Sequence, residues 1–484
     1  MNTATFSLAT LAPAIPEIAL ALLACLLLVI DAFLKEGERH VTYWLSLAAL
    51  LGTAAATAAS LGQPSVVTFQ GLFVADMLSQ VLKVATLLTV AATLVLSRTY
   101  LEVRGLLSGE FICLALFGTL GMMVMISAHH FLTLYLGLEL MALSQYALVA
   151  LQRDSARATE AGMKYFVLGA LSSGLLLYGL SMIYGATGSL ELTRVAFAIE
   201  NGQSQQMLGV FGLVFVVAGI AFKLGAAPFH MWIPDVYHGA ATPATLFIGA
   251  APKIAAFAFM MRVLANGLQG MTADWQQMLV ALAVASMAVG NIVAIAQTNL
   301  KRMLAYSTIS HMGYLLLGIF AGTDNGYGSA MFYLLTYVIT TLGAFGMILI
   351  MSRAGFEAEE LDDLRGLNQK SKWYALVMLI LMVSLAGLPP TAGFFAKLSV
   401  LQAAWEAGFA WVVVVGVLLS VVGAFYYLRV VKLMYFDAPV AEITIAPRAD
   451  TRWVLSLAAL ATLALGIVPQ PLLDLCVRAI AASL

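Results

Sequence analysis

The sequence predicts an all-α polytopic membrane protein of about fourteen transmembrane helices with two inverted five-helix repeats, each containing a broken helix. Three observations carry this expectation. Of 484 residues, 62% are hydrophobic and only 10% charged, whereas a soluble domain carries about a quarter charged residues. The apolar residues fall into runs of about 20, long enough to cross the hydrocarbon core as helices. Two runs are interrupted in the same way: FKLGAAPFHMWIPDVYHGA at 222–240 and GLPPTAGFFAKLSV at 387–400 each place Gly, Pro and a lysine inside apolar surroundings.

Polar breaks give spans at 14–34, 42–61, 73–96, 110–127, 129–151, 160–184, 206–227, 243–265, 275–297, 302–321, 327–352, 373–404, 409–434 and 452–476. The longest polar stretches, 353–372 and 437–452, read as ordinary connecting loops. No basic residue precedes the first apolar run, which argues against a cleaved signal peptide. Lys35, Arg39, Arg98, Arg104, Arg153, Arg157, Lys301, Arg302, Arg353, Arg365, Lys370, Lys372, Arg429, Lys432, Arg448 and Arg452 fall on one side, against Arg194, Arg262 and Arg478 on the other. By the positive-inside rule this places the first loop in the cytoplasm and both termini outside it.

Composition also excludes functions. A formal net charge of −1 offers nothing to nucleic acid. Cys25, Cys113 and Cys476 stand singly in apolar runs, so the sequence offers no disulfide framework or CxxC site and the three read as buried small side chains.

Taking spans four to eight and nine to thirteen as units puts each break in the fourth helix of its unit. Five is odd, so successive units cross the membrane in opposite directions, as in inverted-repeat transporters. The expected division is 1–109 as an N-terminal three-helix segment, 110–266 and 267–436 as the two repeats, and 437–484 as a C-terminal helix. Gly225, Pro228, Pro389 and Pro390 are the helix breaks: proline lacks an N–H and clashes with the preceding turn, freeing carbonyls. At membrane depth, such groups must be buried in protein or wetted by internal water.

Lys83, Lys164, Lys223, Lys253 and Lys397 lie within apolar spans, and Glu139 is near the middle of the fifth. An ionisable residue near the bilayer centre costs about 2.5–3.5 kcal/mol on insertion scales and normally serves a function. Lys164, a turn from a basic loop, fits a snorkelling or structural role, and Lys83 is open. Glu139, Lys223, Lys253 and Lys397 are the candidate proton-carrying row, because burial disfavours a charged lysine and a nearby carboxylate favours it. A partner that approaches or retreats can therefore load or unload a proton, with Glu139 and Lys223 titrating as a pair. Tyr135 and Tyr146 share the face of Glu139.

Ser307, His311 and Tyr314 on span ten, and Tyr333, Thr336, Tyr337 and Thr340 on span eleven, form hydroxyl and imidazole stripes. Such stripes serve as interhelical glue as often as proton wires; His311, Tyr314, Tyr337 and His230 beside the first break are the candidate relays. His238 flanks the same break, and His129 and His130 in the turn before span five read as surface residues.

FKLGAAPFHMWIPDVYHGAATP, TPATLFIGAAPKIA and KRMLAYSTISHMGY resemble the antiporter-like membrane subunits of respiratory complex I, most closely the subunit N branch, over essentially the whole chain. The DVYHGA wording, lysine rather than glutamate at 397, and the lack of a long C-terminal lateral helix favour that branch. The resemblance implies a proton-translocating subunit of a bacterial NADH:quinone oxidoreductase in the inner membrane, working as a hetero-oligomer with other membrane subunits and the lipid bilayer. It further implies a hydrophilic axis formed by Glu139, Lys223, Lys253 and Lys397. This chain would hold no cofactor or metal of its own, with NADH, FMN, iron–sulfur clusters and quinone in partner subunits. The alternative is a subunit of a multi-subunit cation/proton antiporter, and a more distant one is an autonomous solute transporter with a midplane pocket.

Overall fold

A computed structural model describes residues 8–439 and 448–484. Residues 1–7, part of the segment behind the signal-peptide expectation, and 440–447 of the 437–452 connection lie outside the described residues. The chain opens with α1 (Ile15–Phe33) and α2 (His40–Ala58), then a hairpin of β1 (Val66–Thr68) and β2 (Phe73–Ala75), then α3 (Met77–Val103). The first unit comprises α4 (Gly109–Ile126), α5 (Phe131–Val149), α6 (Ala156–Thr187), a short α7 (Leu192–Glu200), the half-helices α8 (Gln206–Leu224) and α9 (Trp232–Gly239), and α10 (Thr242–Met260), which a π-helical segment extends to Gly267. The second comprises α11 (Thr272–Ile295), α12 (Leu300–Phe320), α13 (Asp324–Met351), the half-helices α14 (Lys372–Ala386) and α15 (Ala392–Glu406), and α16 (Ala410–Phe436). α17 (Ala449–Ile467) and α18 (Gln470–Ala481) end the chain.

Among the described residues, thirteen helices are long and apolar enough to cross a membrane, and α14 with α15 make the fourteenth predicted crossing in two pieces. Span three is a longer helix than expected, because Arg98 lies over the rings of Tyr43 and Trp44 at 4.6 and 5.2 Å and pairs with Glu102 at 2.8 Å, which lets the helix continue past its charges. The last span stops early: Pro469 follows Ile467 by two residues, and 470–481 becomes a separate helix that buries Cys476, Ala479 and Ile480. The hairpin and α7 escape the sequence reading because both are shorter than a membrane span. Of the cysteines, Cys113 and Cys476 are buried as expected, but Cys25 is exposed on the outer face of α1.

The two breaks follow one backbone recipe. Gly225 ends α8 at φ +83°, and its N–H and that of Ala226 both return to Ala221 O at 2.8 Å. A Cβ at 225 would fall 1.9 Å from Ile233 Cδ1, so both conformation and space demand glycine. Gly387 ends α14 at φ +80°, with its N–H on Ser384 O at 2.9 Å and that of Leu388 on Val383 O at 3.1 Å. Pro228 and Pro390 stand at the same three-residue distance from their glycines. The repeats therefore match more closely at the breaks than the lysine positions suggest.

They also match where their first two helices meet. Gly121 on α4 and Gly137 on α5 pack against each other's backbones, so that added Cβ atoms would come within 2.5 Å of Met141 N and 2.7 Å of Met125 N. Gly290 on α11 and Gly313 on α12 repeat the arrangement, at 2.5 Å from Ser310 N and 2.8 Å from Ala283 O. Small residues permit this close approach where lipid offers no hydrophobic drive between helices.

Every residue of α10 is buried, and α12 and α13 are nearly so, whereas α1, α16 and α17 turn apolar surface outwards. A lysine on α10 therefore cannot snorkel to a headgroup. The loops carrying Arg104, Arg157, Lys301, Arg302 and Arg353 meet on one face through contacts with Glu357, Glu359 and Asp235. On the opposite face, Arg262 forms a bidentate pair with Asp76, 2.7 Å on each arm, and both residues are buried. Asp76 also caps α3, accepting from Ser79 N at 2.8 Å, so this pair ties the N-terminal segment to the end of the first unit.

Removing one partner of a buried pair strands a charge and costs about 3–5 kcal/mol. Asp76→Ala is expected to lower the melting temperature of the purified assembly strongly, and Asp76→Leu with Arg262→Met to recover most of the loss. A double variant no better than the single one would argue against stranded charge as the cause. Gly137→Val and Gly290→Val are each expected to prevent stable insertion, read as loss of the membrane-extracted folded protein, because the added carbons meet backbone rather than movable side chains.

Candidate functional site

The break after α8 leaves its last carbonyls without helical partners, and the site is built from what satisfies them. Phe222 O accepts from Trp232 Nε1 at 3.0 Å, and Leu224 O accepts from Lys253 Nζ at 2.7 Å. Lys223 O lies 3.4 Å from the same Nζ. Lys253 projects from the wholly buried α10 and is itself 1% exposed, its ammonium 5.3 Å from the centre of the Trp232 ring. The negative end of a helix dipole and two carbonyl oxygens thus surround the lysine where a carboxylate would otherwise be needed.

The second break repeats this with a lysine from a different element. Lys397, on α15 and 7% exposed, donates to Ala386 O at 2.9 Å, the last carbonyl of α14. Its other contacts are Ser420 Oγ on α16 at 3.0 Å and the Tyr314 ring at 4.9 Å. Neither Lys253 nor Lys397 makes an ion pair among the described residues.

Glu139 and Lys223 form the other end of the row. Glu139, partly buried on α5, accepts from Ser173 Oγ on α6. Its charge acts on Lys223, but the two are not in salt-bridge contact. The expected Glu139–Lys223 partnership is therefore electrostatic across a gap, with Ser173 holding the carboxylate. Trp232 stacks on Tyr165 at 4.6 Å, and Tyr165 meets Tyr146 edge-on at 4.7 Å, so the aromatic residues connect α5 to the break.

The expected relays divide. His311 is bracketed by hydroxyls, Tyr333 Oη 2.6 Å from Nδ1 and Tyr427 Oη 3.1 Å from Nε2, with Ser307 Oγ 2.5 Å from Tyr427 Oη. Tyr337 donates to Thr308 Oγ1 at 2.8 Å, and its ring lies 5.1 Å from His311. A cavity of about 10 Å³, the space of about one water, is lined by His311, Tyr333, Tyr337, Ser384 and Ala396, the last adjoining Lys397. Tyr314 instead donates to Gly416 O at 2.7 Å, a backbone clamp beneath Lys397. His230 occupies the link between α8 and α9 with Nδ1 buried and unbonded; among the described residues no hydrogen bond joins it to the row.

Other residues resolve differently from the sequence expectation. Lys83 is buried in an ion pair at 2.5 Å with Glu17, a second charge within the apolar spans that the sequence expectation does not include. Lys164 is half-exposed and binds Asp235 and Glu160, each at 2.8 Å. His129 is buried rather than on the surface: burial first, then the neighbouring Arg262, hold its imidazole below the ordinary range. His130 caps α5 by accepting from Leu132 N at 3.1 Å. Lys301, counted with the loops, is 2% exposed and donates to Ala240 O at 2.7 Å. Tyr237 within DVYHGA buries an unbonded hydroxyl facing Tyr337 and Thr308. A hydroxyl inside a span carried no signal that could single out Ser173, Ser420 or Tyr427; Trp232 and Tyr237, beside the break, did.

The family described as NADH:quinone oxidoreductase/Mrp antiporter, transmembrane, matches residues 128–423, which contain all four row residues. A protein of Thiobacillus denitrificans named NADH-quinone oxidoreductase subunit N is 62% identical over 477 residues, covering 99% of both chains. One of the same name from Nitrosomonas europaea is 57% identical over 99% of this chain and 100% of its own. A chain of respiratory complex I from Thermus thermophilus superposes with a TM-score of 0.82 at 34% identity, covering 95% of this chain and 98% of that one. A chain of the Mrp complex from Dietzia sp. gives 0.85 at 22% identity over 97% of each, a likeness of fold alone. The chain belongs to the NADH-quinone oxidoreductase subunit N family.

Proposed function

We propose that the chain is a proton-translocating membrane subunit of a bacterial NADH:quinone oxidoreductase, and that Glu139, Lys223, Lys253 and Lys397 carry the protons. The observation that supports this reading best is the environment of Lys253 and Lys397. Each ammonium is buried, Lys253 held by backbone carbonyls and Lys397 by a carbonyl and a hydroxyl, with no contacting carboxylate among the described residues. A lysine locked to a carboxylate keeps its proton; one held by carbonyls still donates an N–H when neutral, so it can lose and regain a proton without losing its place.

A proton that loads Lys223 under the influence of Glu139 then shifts the balance at Lys253, which touches the Lys223 carbonyl. From Lys253 the Tyr237, Thr308, Tyr337 and His311 groups lead towards Lys397. Moving one charge against 100 mV costs about 2.3 kcal/mol. Protonation changes within a closed cycle supply no net work, so the energy arrives from partner subunits, where the NADH, FMN, iron–sulfur and quinone chemistry resides. The units at 110–266 and 267–436 act as the two translocating halves, with 1–109 and 437–484 bracing them. Both termini lie on the periplasmic side of the inner membrane, with the basic face in the cytoplasm.

Lys223→Ala and Lys397→Ala are each expected to leave an assembled complex that oxidises NADH but takes up fewer protons per NADH in vesicles; unimpaired uptake in both would overturn the assignment. Lys253→Met leaves Leu224 O buried without a donor, a loss of about 1–3 kcal/mol. It is therefore expected to lower thermal stability as well as pumping, whereas Glu139→Gln, which keeps its Ser173 neighbour, should reduce pumping with little change in melting temperature.

A further inference from the structure

The row leaves unused a charged cluster between the basic face and the interior of the second unit. A cavity of about 100 Å³ is walled there by Arg157, His238, Glu357 and Glu359, with Lys301 at its inner end. It is far larger than the single-water cavities around His311 and offers room for several waters. Arg157, half-exposed at the mouth, grips Glu359 through hydrogen bonds of 2.8 and 3.2 Å and donates to His238 O at 2.7 Å. Glu357 accepts from Tyr100 at 2.7 Å and also from Arg104 and Thr242. Burial raises its carboxyl, but Lys301, the Thr242 hydroxyl, Arg104 and Tyr100 together draw it below the ordinary range, so Glu357 remains a fixed anion.

Lys301 is differently placed. Its ammonium is 2.7 Å from Ala240 O, the carbonyl that ends α9, and 3.8 Å from Glu359 Oε2. On α12, Leu304 and Thr308 follow on the same face, one and two turns deeper. They line a second cavity of about 10 Å³ with Ser307 and Tyr337. Tyr337 also lines the cavity at His311 and Ala396, next to Lys397. From Lys301 to Thr308 the helix rises about 10 Å. From the chamber inward, α12 thus presents a buried lysine, the Thr308 hydroxyl and the His311 imidazole in order of depth.

We propose that this chamber is where protons from the compartment on the basic face enter the second repeat, and that Lys301 carries them past the end of α9. In the step, one N–H bond of the ammonium breaks and an O–H bond forms on a water on the Thr308 side, giving a hydronium that passes the proton inward. The neutral amine then takes a proton from a hydronium delivered from the basic face to the chamber beside Glu359, leaving water there, so one proton moves inward and the lysine and both waters are restored. The amine keeps N–H groups for Ala240 O throughout, and α9 stays capped. This inference rests on the proton-translocating role proposed above.

The test uses the reconstituted complex with Lys301→Arg and Lys301→Met, measured for NADH oxidation and proton uptake beside Lys397→Ala. Arginine preserves charge and donors but does not release its proton. Both Lys301 variants are expected to lose proton uptake per NADH to a similar extent, whereas a residue that only caps α9 would be rescued by arginine. Normal uptake in Lys301→Arg overturns the entry site, and if Lys397→Ala still fails to pump, the broader role stands without it. Normal uptake in all three variants overturns the role itself. If a Lys301 variant does not assemble, Gln152→Cys on the chamber wall decides. Complete modification by a cationic thiol reagent from the basic face should slow uptake, and undiminished uptake after modification overturns the proposal.

Discussion

A helix interrupted inside a bilayer leaves carbonyls that no water can reach, and the need to satisfy them organises this protein. At both breaks a lysine ammonium answers the last carbonyl of the first half-helix, Lys253 on Leu224 O and Lys397 on Ala386 O. Lys301 does the same for Ala240 O at the end of the second half-helix of the first unit. Each burial of a cation, costly in lipid, is offset by the dipoles of a helix that would be costly to end there without it. The breaks and the lysines are therefore one structural solution.

The same chain shows what a membrane charge looks like when it is only structural. Lys83 with Glu17 and Arg262 with Asp76 are buried and directly paired at 2.5 and 2.7 Å, and both pairs join the N-terminal helices to their neighbours. Each member of these pairs has an opposite charge in direct contact, the arrangement of a brace between helices. Lys253 and Lys397, by contrast, contact only carbonyl and hydroxyl groups among the described residues. Counting buried lysines does not separate these classes; their partners do.

That distinction explains how much could be read from sequence. Span number, both breaks and the four row residues follow from composition, run length and the cost of ionisable groups in lipid, because those signals are local. Gly225 and Gly387 announce their own φ values. The partners were not legible: Ser173, Ser420 and Tyr427 are ordinary residues of apolar helices that matter only through helices far away in sequence. Lys301 was misplaced because, one residue into α12, it has the sequence context of a loop charge; burial comes from the 353–372 segment, which folds back so that Leu300 N meets Glu359 O at 2.6 Å. The stretch read as an ordinary loop thereby supplies both acids of the chamber.

The two units share a break but not a lysine position, and the difference decides which element caps each broken helix. Ten residues beyond the break glycine, the first unit carries Asp235 and the second Lys397. Asp235 pins α9 to α6 and α12 through Lys164 at 2.8 Å and Arg302 at 3.0 Å, a charged clamp at the molecular edge. The capping lysine of that unit sits instead on the rigid, buried α10. In the second unit the capping lysine rides on the half-helix itself, so the contact between α14 and α15 runs directly through the Lys397 ammonium. A change in its charge alters the bond between the two halves, whereas the same change at Lys253 alters only how α8 meets a fixed neighbour. Inverted repeats of one architecture thus place the lysine that caps the broken helix on a buried neighbouring helix in one half and on the half-helix itself in the other.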